Sequence, residues 1–181
     1  MPQGRKLTGP DVKHFIMAGD AIFSLKNTLN GHHLTYRMEL APNSTDFWFV
    51  KVLAGSDNTS DYAYLGTVKD DKYTAGLSFK RGVKSKIGED ATSAVTARWF
   101  FDKLNKGALP GALEVWHEGR CGRCARKLTV PESIDAGIGP ECAKHMGLVA
   151  IHPEPCHKVT KTERQDASLR EHLGLPQVSR R

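Results

Sequence analysis

The chain has 181 residues, a formal net charge of +6 and a pI near 9.2, with 39% hydrophobic and 25% charged residues. That is an ordinary composition for a globular protein, long enough to bury a core. It excludes a chain of membrane spans, because no stretch approaches the apolar length of one. The N-terminal "MPQGRKLTGPDVKHFIMAG" is basic but has no sustained apolar run, so no signal peptide is expected. The expected compartment is the cytoplasm, where thiols stay reduced and clustered cysteines bind metal more often than they pair.

The first predicted element is a short helix in "TGPDVKHFIMAG". Thr8 is its expected cap, Pro10 suits the first turn, Val12, Phe15 and Ile16 share a face, and Gly19 ends it. Strands follow. In "AIFSLKN", Ala21, Phe23 and Leu25 alternate with less apolar neighbours, and Asn30-Gly31 is a hairpin signal. "HHLTYRMEL" puts Leu34, Tyr36, Met38 and Leu40 on one face and His33, Thr35, Arg37 and Glu39 on the other. "DFWFVKVLA" is apolar on both faces and reads as a central strand. "DYAYLGTV" and "YTAGLSF" follow, with a polar turn between Lys69 and Lys72. Short links and period-two alternation predict an antiparallel meander.

The period changes in "EDATSAVTARWFFDKLNKG", a helix with Asp90 as expected cap and Ala94, Ala97, Phe101 and Leu104 on one stripe. So apolar a helix needs a sheet to cover. The predicted fold class is therefore α+β: an antiparallel sheet meander covered by a helix over residues 1–110, a small module over 111–150, and a loose polar tail over 151–181. "LEVWH" is a strand entering the module.

The module holds three of the four cysteines, in "CGRCARKLTVPESIDAGIGPECAKH". Cys121 and Cys124 have the spacing of a zinc knuckle, a tight turn that aims two sulfurs at one point, with Gly122 easing the backbone. The segment after it reads as a hairpin or irregular loop bending at Gly137 and Gly139. Cys142 falls in the first turn of a helix from Pro140, where the helix dipole favours a thiolate. Knuckle, hairpin and ligand-bearing helix predict a treble-clef or zinc-ribbon-like module with structural zinc as its cofactor. The fourth ligand is open between His117, four residues before Cys121, and His145, one helical turn after Cys142; Cys156 is a further candidate. Other chemistry fits less well. "HEGRC" has a glycine where a zinc-protease helix would run, His117 and Glu118 are adjacent where a zinc deaminase needs H-x-E, and a redox CxxC would open a helix.

The pattern H-x3-C-x2-C-x-R-x-L-T-x-P-x-S-I-x-x-G-I-G-P-x-C, from His117 to Cys142, resembles a cysteine-containing domain of unknown function found largely in phage and prophage proteins. "LTVPESIDAGIGPEC" is its distinctive part, and "FVKVLAGSDNTSDYAYLGTV" resembles what commonly precedes it. The resemblance implies a phage protein acting in a bacterial host cell, and it favours His117 as fourth ligand, because a histidine there belongs to the pattern. Ala125 departs from it: the family usually has Gly after the second cysteine. The family implies no activity.

Basic residues suggest a surface for an acidic partner. Arg120, Arg123, Arg126 and Lys127 surround the knuckle, and "KRGVKSK" gathers Lys80, Arg81, Lys84 and Lys86 in one loop. The strand aromatics Phe47, Trp48, Phe49, Tyr62 and Tyr64 are expected in the core, with base stacking on an open sheet face the alternative. No paired carboxylates, nucleophile–base set or phosphate-cradling loop appears, so no enzyme and no small-molecule substrate are expected. The expected function is a phage-encoded, zinc-stapled accessory protein that binds nucleic acid. The alternative is a phage inhibitor or adaptor that binds a host protein such as a defence component.

Overall fold

The computed structural model describes residues 4–71 and 76–148. Its elements are β1 (Arg5–Leu7), α1 (Pro10–Ile16), β2 (Asp20–Asn27), β3 (His33–Leu40), β4 (Phe47–Leu53), β5 (Tyr62–Asp71), β6 (Gly76–Arg81), α2 (Thr92–Asn105), β7 (Leu113–His117), α3 (Pro131–Ala136) and α4 (Pro140–His145). The fold is α+β, built on one seven-stranded antiparallel sheet in the order β1-β7-β2-β3-β4-β5-β6. Strands β2 to β6 are the expected meander. After α2 the chain crosses back and inserts β7 between β1 and β2. No turn signal encodes this step, because the pairing of Phe23 with His117 joins residues far apart in sequence.

Alternation sorts the side chains onto two faces. Phe23, Leu25, Tyr36, Met38, Trp48, Val50, Val68 and Leu77 are buried on one, each large apolar side chain stabilising by about 1.5–3 kcal/mol. Helix α2 packs there: Phe100 stacks near Phe23 (5.8 Å between centroids), Phe101 near Phe79 (5.9 Å), and the Tyr36 hydroxyl donates to the Ser93 carbonyl (2.9 Å). Helix α1 takes the same face at the other end, where Phe15 meets the His117 ring at 5.2 Å. The opposite face carries Phe47, Phe49, Lys51 and Leu53 from β4 and Tyr62, Tyr64 and Thr67 from β5, all half-buried. This explains why β4 is apolar on both sides. A bulge between Val50 and Lys51 shifts the register, so that Leu65 and Val68 both enter the core while Tyr64 and Thr67 both face away from it. The aromatics expected in the core therefore divide: Trp48 is buried with it, and the other four stand on the opposite face.

Local expectations were corrected at the helix ends. The residues before α1 and α2 are Gly9 and Ala91, not Thr8 and Asp90, and neither makes a side-chain cap. Residues 131–136, expected as loop, form α3, with Pro131 in its first turn and Gly137 as a left-handed stop at φ 70°. Both signals were present in the sequence. Residues 69–71, expected in the polar turn, belong to strand β5; Lys72, the tail over 151–181 and Cys156 lie outside the described residues. No helix among the described residues is long and apolar enough to cross a membrane.

Candidate metal centre

The knuckle is the tip of a small hairpin. Arg120 and Lys127 form an antiparallel bridge, the Cys121 N–H donates to the Arg126 carbonyl (2.8 Å), and the Leu128 N–H donates to Gly119 (2.8 Å). Within the tip, the Ala125 N–H donates to the Cys121 carbonyl (2.9 Å), and Ala125 adopts φ 55°. That left-handed conformation is free of strain for Gly and costs an alanine free energy.

The hairpin is docked onto α1 and the sheet. The Gly122 carbonyl accepts the Asp20 N–H (2.7 Å), and the Gly122 N–H donates to the Gly137 carbonyl (3.0 Å). A Cβ on Gly122 would lie 2.6 Å from the Phe15 carbonyl oxygen, and one on Gly137 would lie 2.5 Å from the Phe15 ring. Phe15 thus seats both halves of the module, which only glycines allow. Cys121, Leu128 and Ile138 are buried in the same cluster as Phe15 and Phe23. From β7 onward, the described residues share a sheet and a core with those before them.

Cys121 and Cys124 from the hairpin and Cys142 from α4 converge, and their sulfur atoms all lie within 4.8 Å of one another. The Cys142 and Cys124 sulfurs are 3.5 Å apart. One metal ion can touch all three. Cys121 is buried, Cys142 half-buried and Cys124 exposed. Burial pushes the Cys142 thiol up to about 11, with the neighbouring thiols acting in the same direction. Burial also raises Cys121, but backbone N–H groups of Gly139, Arg123 and Cys124 outweigh it and hold the thiol below its ordinary value. The Gly139 N–H lies 3.4 Å from the Cys121 sulfur. A sulfur that collects N–H donors is prepared to carry negative charge, as a metal-bound thiolate must.

The structure brings neither histidine into this group. His117 is buried at 1% exposure, facing α1, and both ring nitrogens are engaged: Nδ1 accepts the Gly119 N–H (3.0 Å), and Nε2 lies 2.8 Å from the Ile134 carbonyl oxygen. An Nδ1 that accepts and an Nε2 that donates define a neutral imidazole. Burial also lowers its pKa. His145 is exposed on α4, after Cys142.

The basic residues separate by role. Arg120, Arg123, Arg126 and Lys127 are all exposed around the knuckle, and Arg120 spends one guanidinium N–H on the Ala125 carbonyl (3.1 Å). The other basic stretch, expected as one loop, divides: Lys80 and Arg81 end strand β6, Lys84 and Lys86 lie in the loop after it, and all three lysines are exposed. Arg81 instead braces that loop, donating to the carbonyls of Ile87 (2.7 Å) and Ser85 (3.0 Å). Sequence reading missed this bracing role and that of His117, because both depend on partners that only the folded loops supply.

Residues 112–147 match a family of unknown function (DUF6011). The match runs from the residue before β7 to the end of the cysteine module, and it carries no activity with it. No curated protein and no solved structure matches the chain.

Proposed function

We propose that the protein is a zinc-stapled, nucleic-acid-binding accessory protein. The observation that carries this reading is the knuckle hairpin: its interior is taken by Cys121 and backbone hydrogen bonds, and its basic residues Arg120, Arg123, Arg126 and Lys127 are all exposed. A treble-clef-like layout, with a hairpin knuckle followed by a ligand-bearing helix, supports zinc as the metal. In a tetrahedral zinc–thiolate site the sulfurs stand about 3.8 Å apart, from zinc–sulfur bonds of about 2.3 Å. The 3.5 Å separation of Cys124 and Cys142 is close to that spacing. His145 is the better fourth donor, because it follows Cys142 by one helical turn and is exposed, whereas both nitrogens of His117 are engaged. Four protein ligands would close the site to water and leave the metal a structural role.

Binding through phosphates predicts that log affinity falls linearly with log salt, with a slope of roughly −0.7 to −0.9 per contacted phosphate. Replacing Arg123 and Arg126 by Gln should flatten that slope by about one to two units. Wild-type protein that binds no nucleic acid even at low salt removes this reading.

The host-protein reading has one observation of its own. A cleft of about 510 Å³ lies between α2 and the β2–β3 hairpin, and Val95 and Trp99 on its wall are 48% and 38% exposed. An apolar side chain of a partner fits such a cleft. Capture of one defined host protein from nuclease-treated lysate, lost in Trp99→Ala, would favour it.

A further inference from the structure

We propose that the sheet face away from the helices, across β4, β5 and β6, is a stacking platform for single-stranded nucleic acid. Its rings are Phe47, Phe49 and Tyr64, and its phosphate contacts are Lys80, Lys84 and Lys86. The proposal rests on the nucleic-acid reading above and names the substrate class and a second surface for it.

Helices α1 and α2 both cover the other face, through Phe15, Phe100 and Phe101. The three rings of the platform instead form a series, Phe47 to Phe49 at 5.7 Å and Phe49 to Tyr64 at 6.4 Å between centroids. Both contacts are edge-to-face, with ring planes 90° and 66° apart, a geometry that aromatic pairs favour. All three are half-buried, so each keeps part of its surface in water. Core rings such as Phe23 and Phe100 keep almost none.

The series ends at a basic loop that is rigidly tied to it. The Ser85 hydroxyl donates to the Tyr64 carbonyl (2.8 Å), the Tyr64 ring fills the space where a side chain on Gly82 would stand, and Arg81 clamps the loop from inside. Lys84 and Lys86 are left exposed. Along the same face Lys69 pairs with Phe47, and Lys80 lies beyond Phe49 through Thr67; both lysines are exposed. Glu39 pairs with Phe49 across the ladder and is neutralised by Arg37 (3.0 Å) and Lys51 (2.6 Å).

Aromatic rings beside exposed lysines suit a chain of flat bases joined by phosphates. Bases in a duplex already stack on each other, so these rings can reach them only in a single strand, where the bases splay apart.

The test is fluorescence anisotropy with labelled oligo-dT and with a mixed-sequence duplex, at one low salt concentration. Phe49→Leu and Tyr64→Leu keep apolar bulk and remove the π face, and retained melting temperature shows that the fold survives. The expected result is tighter binding of oligo-dT than of duplex, weakened roughly tenfold or more in the double Leu variant while duplex affinity is unchanged. Lys84→Gln with Lys86→Gln should weaken both ligands and flatten the salt slope. If the Leu variant binds oligo-dT as tightly as wild type while the Arg123 and Arg126 variants bind less, the platform is overturned and the knuckle reading stands. Wild-type preference for duplex also overturns it. Failure of wild type to bind either ligand removes both readings.

Discussion

The imidazole Nε2 of His117 lies 2.8 Å from the carbonyl oxygen of Ile134, joining the last residue of β7 to α3. The same ring receives the Gly119 N–H on Nδ1, at the start of the knuckle hairpin. His117 therefore positions the module from below, and its role is separable from that of the sulfur ligands.

Metal content distinguishes these roles. Protein made in zinc-replete medium should carry about one zinc per chain. His117→Gln should keep it, Cys124→Ser should lose most of it, and His145→Ala should weaken retention against a chelator. Loss of zinc in His117→Gln with retention in His145→Ala would reverse the assignment of the fourth ligand.

Acid should act on the fold through His117. Burial holds its pKa below the ordinary imidazole value of about 6.5, so the fold favours the neutral ring. A group with a lowered folded pKa contributes stability above its unfolded pKa and loses it as pH falls through the folded value. Stability to urea should therefore decline below about pH 6.5. His117→Gln should be less stable by about 2 kcal/mol at neutral pH, with a flatter profile across that window. Metal must be measured at each point, since protonation of thiolates also releases it. A slope identical to wild type would exclude His117 as its source.

Ala125→Gly should stabilise the protein by about 1 kcal/mol, because glycine meets φ 55° without the penalty an L-residue carries there. The comparison is made in the metal-loaded state by urea unfolding. A variant that is equally or less stable would mean that the entropy of an added glycine cancels the relief of strain.

Gly122→Ala should destabilise by about 1–3 kcal/mol, since the new methyl group would press on the Phe15 carbonyl, a backbone atom that cannot swing aside. Gly88→Ala, whose Cβ would meet nothing within 4 Å, serves as the control. Equal melting temperatures for the two variants would show that the hairpin is not seated on α1 as described.

Much of the architecture was legible because it repeats locally. Alternation in Leu34, Tyr36 and Met38 marks a strand and its inward face, and Asn30-Gly31 marks the hairpin between β2 and β3. The spacing of Cys121, Cys124 and Cys142 likewise marks three donors that the fold brings together. Edge strand β1 escaped notice, because three residues with one buried side chain carry no period.

The sequence by itself determined strands β2 to β7, helices α1, α2 and α4, and the three sulfur donors, since propensity, periodicity and knuckle spacing act within a few residues. Tertiary structure decided which strands are neighbours, which face of β4 and β5 stays uncovered, and what His117 does. These depend on long-range pairing: β7 meets β2 only after the chain has crossed back past α2, and that pairing faces His117 toward α1, into the core. Once the imidazole is buried there, the cost of leaving either ring nitrogen unpaired dictates its bonds to Gly119 and Ile134.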